Sequence, residues 1–191
     1  LTNITTPTFT ISTVSVDDIV HLYADGILVG NATSIGNSVE VTSSLLVDNP
    51  YLMSYTLTDY AGNVSEVSPN TLDIVIDTTP WGTLKDLILV TDTGADAGDN
   101  VTNDQTPQFS IPSDLDFAEL DLIRLYRSVS GGSTTLIHSE RKLASTTAHN
   151  ITVPNNFTLG EGIYNFTYDI VDYAGNVSLT TSAAITITVD V

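Results

Sequence analysis

Closely spaced aspartates are the residues of this sequence that could do chemistry. Asp92, Asp96 and Asp99 lie in one short stretch, Asp-Thr-Gly-Ala-Asp-Ala-Gly-Asp-Asn, which ends at Asn100 and contains two glycines. Carboxylates on a flexible loop are the hard oxygen ligands of calcium, which takes about six to eight of them at about 2.3–2.6 Å. The stretch lacks the ligand spacing and the closing Glu of an EF-hand. It is therefore either a calcium site or a solvated acidic loop.

Two more aspartates begin a heptapeptide that occurs twice. Asp-Tyr-Ala-Gly-Asn-Val-Ser starts at Asp59 and again at Asp172. Its Ala-Gly-Asn segment tolerates positive φ, which predicts a hairpin after each preceding strand. Strand parity directs both carboxylates toward the domain axis, where a carboxylate needs a partner. That partner is either the turn backbone, in an Asx turn, or a metal ion, and the two can coexist.

The last pair of aspartates closes the strand that follows each heptapeptide. Asp77 opens the sequence Asp-Thr-Thr-Pro, and Asp190 holds the equivalent place near Val191. Pro80 stops the strand and so marks a domain junction. Trp81 follows directly, and we expect it to pack at this junction in preference to serving as a sugar platform.

The heptapeptides belong to a longer internal repeat. The segment Thr2–Ile11 aligns with Thr102–Ile111 at an offset of one hundred. A period of about a hundred residues is typical of tandem autonomous domains. We therefore predict one domain at residues 1–76 and a second at residues 77–191.

The two copies differ in length at two places. Leu1 aligns with Val101, so we expect the first copy to lack counterparts of the acidic loop and of the strand before it. The second copy carries extra Ser/Thr-rich residues around Gly131–Asn156, which belong in surface loops. This insertion leaves open a second function, as a carbohydrate- or protein-binding module.

Apolar and polar residues alternate almost throughout, which predicts strands. Tyr51, Met53, Tyr55 and Leu57 share one face, and the second copy repeats the pattern before Asp172. Helical periodicity is not sustained, and only a short turn is predicted at Ser113–Leu120. The predicted fold class is all-β, with two tandem immunoglobulin-like antiparallel β-sandwiches joined by a short linker.

Composition argues against several function classes. Five Lys and Arg residues stand against 23 Asp and Glu, a net charge of -18, which disfavours nucleic acid and anionic membranes as partners. Without Cys there are no disulfides or thiolate metal sites, and no apolar run reaches the roughly twenty residues of a membrane span. The three His residues show no metal spacing, and no nucleophile elbow is present. We expect no enzymatic activity.

The combined motifs resemble the bacterial immunoglobulin-like repeats. The motifs are Asp-x-Ala-Gly-Asn-x-Ser, the closing Asp-Thr-Thr-Pro, Thr-Asp-x-Gly-x-x-x-x-Asp at Thr91–Asp99 and Thr-Asn-x-x-Thr-Pro-x-Phe at Thr102–Phe109. Such repeats form the stalks of giant type I-secreted adhesins and biofilm-associated proteins. The resemblance covers nearly the whole chain.

What this resemblance implies is an extracellular, monomeric spacer on a bacterial cell surface. Its partners would be neighbouring repeats of the same chain, with a host-cell or surface ligand bound through a distal domain. Calcium at the domain junctions would stiffen the stalk. The resemblance implies ligand roles for six aspartates, with Asp96 as an addition: Asp59, Asp77, Asp92, Asp99, Asp172 and Asp190.

Overall fold

The chain folds into two compact units. The computed structural model describes residues 1–112, 121–129, 132–142 and 148–191. The first unit comprises Leu1–Thr79 and the second Pro80–Val191. The turn predicted at Ser113–Leu120 lies outside the described residues.

The first unit, all of whose residues are described, contains six strands in two sheets. They are β1 (Thr8–Ser12), β2 (Ile19–Ala24), β3 (Ile27–Thr33), β4 (Ser38–Thr42), β5 (Asn49–Thr58) and β6 (Leu72–Ile76). β1 pairs with β4, and the other sheet has the order β3-β2-β5-β6, all antiparallel. Thr2 adds a parallel bridge to Ile76, alongside β6.

The second unit repeats this arrangement and adds strands at its start. Its described strands are β7 (Ile88–Leu89), β8 (Val101–Thr102), β9 (Gln108–Ile111), β10 (Leu122–Val129), β11 (Thr135–Arg141), β12 (His149–Thr152), β13 (Gly162–Val171) and β14 (Ile185–Val189), with a 3₁₀ turn at Asn155–Phe157. One sheet has the order β12-β9-β7 and the other β11-β10-β13-β14-β8. β8 runs parallel to β14, whereas the other described pairings are antiparallel.

The predicted alternation places the core correctly. Phe166, Tyr168 and Ile170 on β13 are fully buried, as is Phe109 on β9 of the facing sheet. The ring centroids of Phe109 and Phe166 lie 4.7 Å apart. In the first unit Met53 is buried, with the neighbouring apolar residues of β5 packed against the same core. The prediction of an all-β chain built from antiparallel sheets is confirmed.

The interval 131–156, expected to be an insertion in surface loops, contains regular structure. β11 and β12 fall within it and the 3₁₀ turn begins within it, while residues 131 and 143–147 lie outside the described residues. Ala24 pairs with Ile27 across the β2–β3 hairpin, but Arg127 pairs with Thr135 across the β10–β11 hairpin. Part of the extra length therefore extends a hairpin. The loop interpretation is corrected to that extent.

Candidate metal sites

The repeated heptapeptide forms the predicted turn, and its leading carboxylate closes that turn. Asp172 Oδ1 accepts hydrogen bonds from the backbone N–H groups of Gly175 at 2.8 Å and Asn176 at 2.9 Å, and Oδ2 accepts one from Asn176 Nδ2 at 2.9 Å. Gly175 has φ of +99°. The Asx turn is thus present. The turn backbone is one of the two partners that the sequence left open for Asp172, and a metal ion is the other.

Asp59 repeats this geometry in the first unit. Its Oδ1 accepts from the backbone N–H of Asn63 and its Oδ2 from Asn63 Nδ2, both at 2.8 Å. These hydrogen bonds from Asn63, the side-chain one first, lower the pKa of Asp59 from its ordinary value. Because the turn uses both oxygens, a cation at Asp59 or Asp172 would have to share them with the turn.

A carboxylate that the sequence analysis missed lies at the end of the first unit. Asp48 Oδ1 accepts a hydrogen bond from Thr78 Oγ1 at 2.7 Å, and Oδ2 accepts one from Thr79 Oγ1 at 3.0 Å. Asp77 Oδ1 accepts from the backbone N–H of Thr79, also at 3.0 Å. The hydrogen bond from Thr78 lowers the pKa of Asp48. Asp48 and Asp77 therefore hold the same linker residue from two sides.

The pairing of strands explains this meeting and predicts its repetition. Asn49 pairs with Ile76, which makes Asp48 and Asp77 neighbours, and in the second unit Gly162 pairs with Val189. Glu161 and Asp190 directly flank that second pair. The backbone N–H of Asp77 donates to the carbonyl of Thr2, as that of Asp190 does to Thr102. The two units thus end in the same way, each with two acidic residues.

Within one unit the candidate aspartates lie far apart. Asp59 follows the last residue of β5, whereas Asp77 lies beside its first, because β5 and β6 are antiparallel. β5 has ten residues and is therefore about 33 Å long. Asp172 and Asp190 are separated in the same way along β13. No site within a single unit can use both members of either pair.

The acidic loop between β7 and β8 carries the remaining candidates. Asp92 Oδ2 accepts from the backbone N–H of Asn100 at 3.2 Å, and Asp99 Oδ1 from that of Val101 at 3.0 Å. Asp96 is exposed. Asp92 Oδ1 is buried and has no hydrogen-bond partner among the described residues.

The surroundings of Asp92 fit a hard cation. It lines a cavity of about 490 Å³, together with Asp86 and Asn100. A buried carboxylate oxygen without a donor is costly unless a cation satisfies it, and the oxygen donors at this cavity are of the type that calcium takes. Across the described residues, however, no group of three or more His, Cys, Asp and Glu side chains has the arrangement of a metal site.

Trp81 packs inside the second unit. Its ring lies partly buried against the core of that unit, and its Nε1 donates to Asp121 Oδ2 at 3.1 Å. Its backbone carbonyl accepts from the N–H of Leu179. Packing at the junction with the first unit stays a prediction.

Two polar clusters escaped the sequence analysis. Arg124 donates to Asp169 through Nε and Nη2, both at 2.7 Å, and Tyr126 donates to the same carboxylate at 3.0 Å. Burial, then the hydrogen bond to Asp169, raises the pKa of Tyr126. Register alone brings this pair together, since Arg124 and Asp169 lie directly opposite each other on β10 and β13.

The second cluster joins two of the histidines, for which the sequence showed no metal spacing. His149 Nε2 lies 2.7 Å from Glu140 Oε1, and His138 Nε2 lies 3.2 Å from Glu140 Oε2. The hydrogen bond with His149 is the main cause of a lowered pKa at Glu140. Because β11 and β12 belong to different sheets, Glu140 links the two sheets of the second unit.

Comparison with known proteins decides the family. The model of the bacterial Ig-like domain matches residues 1–78 and again residues 82–191. The chain belongs to the bacterial Ig-like domain family. The predicted fold of immunoglobulin-like sandwiches is confirmed. A search of the curated proteins found no match.

Solved structures agree with the bacterial Ig-like fold at low sequence identity. The fibronectin(III)-like modules of Clostridium thermocellum CbhA match with 18% identity and a TM-score of 0.51, over 96% of this chain and 85% of that chain. A marsupial T cell receptor matches with 10% identity and a TM-score of 0.56, over 98% and 70%. The FN1–FN3 domains of chicken CNTN1 match with 14% identity and a TM-score of 0.53, over 96% and 63%. These likenesses concern the fold alone.

None of the helical structure in the described part of the chain has the length and apolarity to cross a bilayer.

Proposed function

We propose that the two bacterial Ig-like units are structural spacers in the stalk of an extracellular bacterial surface adhesin. In this role the chain is monomeric and its partners are the neighbouring repeats of the same polypeptide. A distal domain, held away from the cell, makes the attachment that supports biofilm formation. Export through type I secretion belongs to the same proposal, as does the absence of a catalytic role.

The proposal includes calcium at the junctions between units. Its main support is the meeting of Asp48 and Asp77 at Thr79, where two carboxylates hold the linker as the chain leaves the first unit. Asp172, in the turn after β13, is a further proposed ligand. Asp92, Asp96 and Asp99 would serve the next junction together with Glu161 and Asp190. A cation would neutralise carboxylates that otherwise repel one another.

Calcium binding at the affinity typical of extracellular modules has a calculable effect on the stability of the junction. Extracellular calcium modules bind with Kd of about 10⁻⁴–10⁻³ M. An ion bound only by the folded junction then stabilises it by about 1–2 kcal/mol at a few millimolar calcium. The affinity suits an extracellular role, because such sites would fill only where calcium is abundant.

The test compares the chain in millimolar calcium and in chelator by small-angle scattering and calorimetry. Calcium should raise the melting temperature and narrow the distribution of overall dimensions. The double variant D48N/D77N should lose the narrowing and the first unit's share of the gain in melting temperature, and the exposed β6 variant D73N should keep both. Identical scattering curves and melting temperatures with and without calcium would refute the calcium proposal while leaving the spacer role intact.

A further inference from the structure

One edge of the second unit, between β11 and β12, carries two imidazoles and a carboxylate that point between its two sheets. Glu140 lies opposite the buried Ile123 on β10, and His149 lies opposite the buried Ile111 on β9. His138 shares the face of Glu140, because it lies two residues away on β11. The Nε2 atoms of His149 and His138 consequently lie 2.7 and 3.2 Å from the Glu140 carboxylate.

The first unit fills the aligned positions differently. Those positions carry residues without a polar side chain: Gly30, Ala32 and Val39. There the backbone closes the edge, since the N–H of Ser44 donates to the carbonyl of Val29 and a Cβ at Gly30 would lie 2.6 Å from the carbonyl oxygen of Thr42. Two of the three histidines of the chain fall at these positions of the second unit, which favours a shared role for them over an accident of composition.

Imidazole nitrogens combined with a carboxylate are ligands of divalent transition metals, and of zinc in particular. Zinc holds such atoms at about 2.0–2.2 Å in tetrahedral geometry, which places neighbouring ligand atoms about 3.3 Å apart. The separation of 3.2 Å between His138 and Glu140 already has this size. The 2.7 Å between His149 and Glu140 would widen as zinc takes the place of the shared proton.

Binding requires the side chains to turn. As they stand they do not have the arrangement of a metal site, since the two imidazoles lie against different oxygens of the carboxylate. The side chains of His138 and Glu140 are 29% and 34% exposed. His138 also borders a cavity of about 350 Å³, together with Pro154 and Asn156. Both side chains therefore have room to rotate toward one ion, and water can complete its coordination.

We propose that His138, Glu140 and His149 bind a divalent transition-metal ion, for which Zn²⁺ is the best match. The ligands come from β11 and β12, which belong to different sheets, so the ion would cross-link the two sheets of the second unit. Nitrogen ligands separate this site from the proposed calcium junctions, because calcium takes oxygen. The proposal holds whether or not calcium binds.

Titration of the full chain with zinc chloride, in millimolar calcium to occupy carboxylate sites, tests this by calorimetry. We expect one zinc ion per chain, with the imidazole nitrogen resonances of His138 and His149 shifted and those of His21 unchanged. Zinc should also raise the melting temperature of the second unit, followed by Trp81 fluorescence, because the ion binds only the folded edge.

A matched pair of histidine variants identifies the ligands. H149Q should weaken zinc binding about tenfold or more and lose the gain in melting temperature, whereas H21Q, in the first unit, should bind as the native chain does. If H149Q does not fold, H138Q, at the more exposed histidine, decides in its place. Absence of zinc binding in the presence of calcium, or equal binding by the native chain and the folded variant, would overturn the proposal.

Discussion

Arg124 donates two hydrogen bonds of 2.7 Å to the carboxylate of Asp169 from the directly opposite position on the neighbouring strand. Asp169 is 7% exposed, so water has little access to the carboxylate and the hydrogen bonds from Arg124 replace those that water would make. The aligned pair in the first unit is His21 and Thr56, also directly opposite each other. The same cross-strand position therefore holds an ion pair in the second unit and an uncharged threonine opposite a histidine in the first.

Removing Arg124 should therefore cost more than removing both partners. We expect R124Q to lower the free energy of unfolding of the second unit by about 1.5–3 kcal/mol, because it leaves a buried carboxylate without its charged donor. R124Q/D169T, which takes the threonine of the first unit, should be more stable than R124Q. The single tryptophan, Trp81, reports urea unfolding of this unit. A double variant less stable than R124Q would contradict the argument.

The Glu140 cluster predicts an acid-sensitive second unit. Since His149 and His138 lower the pKa of Glu140 in the folded state, its ionised form contributes stability that is present above its ordinary pKa of 4.5. That contribution is lost as the pH falls through the lowered folded pKa. Melting followed by Trp81 fluorescence should show a decline below about pH 4.5 that E140Q reduces. The exposed E66Q, in the first unit, controls for net charge, and an equal decline in E140Q would disprove the assignment.

At Asp92 the effect of a substitution should depend on calcium. Without calcium, D92N should be as stable as the native chain or more so, because it removes charge from a buried oxygen that has no donor. With millimolar calcium the native second unit should gain melting temperature and D92N should gain less. Trp81 fluorescence measures both. If D92N gains as much as the native chain, Asp92 is not a ligand.

The turn glycine predicts a conformational cost of substitution. Gly175 has φ of +99°, a region in which a side chain is strained, so G175A should cost about 1–2 kcal/mol. G160A is the control, since a Cβ at Gly160 would meet nothing within 4 Å and its φ is not positive. Urea unfolding followed at Trp81 compares the two. Equal stability of the variants would show that the turn can relax.

The features that sequence predicted well are local. The Asx turns of Asp59 and Asp172 involve partners within four residues, and alternation on β13 is a property of one strand. The turns follow from the tendency of Asp to bond the backbone of nearby residues, and the buried face of β13 follows from the two-residue period of a strand. Neither requires knowledge of which strands pair.

The features that it missed depend on register. Asp48 meets Thr79 only because Asn49 pairs with Ile76. The alternation of side chains along β11 places His138 and Glu140 on one face of that strand. His149, however, lies on β12, at the edge of the other sheet. An alignment of the two copies does carry a hint, since Asp48 and Glu161 occupy the same position before their strands.

The parallel pairing beside the last strand of each unit has a mechanical consequence. Val101–Thr102 follows β7 and the acidic loop, and it lies beside Ile185–Val189 and runs in the same direction. Tension that pulls β8 toward the N-terminus and β14 toward the C-terminus slides the two strands lengthwise. The hydrogen bonds from Thr188 to Asn100 and from Asp190 to Thr102 then bear the load together, in shear, instead of opening one after another. Thr2 stands in the same relation to Val75 and Asp77, so the same shear arrangement recurs beside β6.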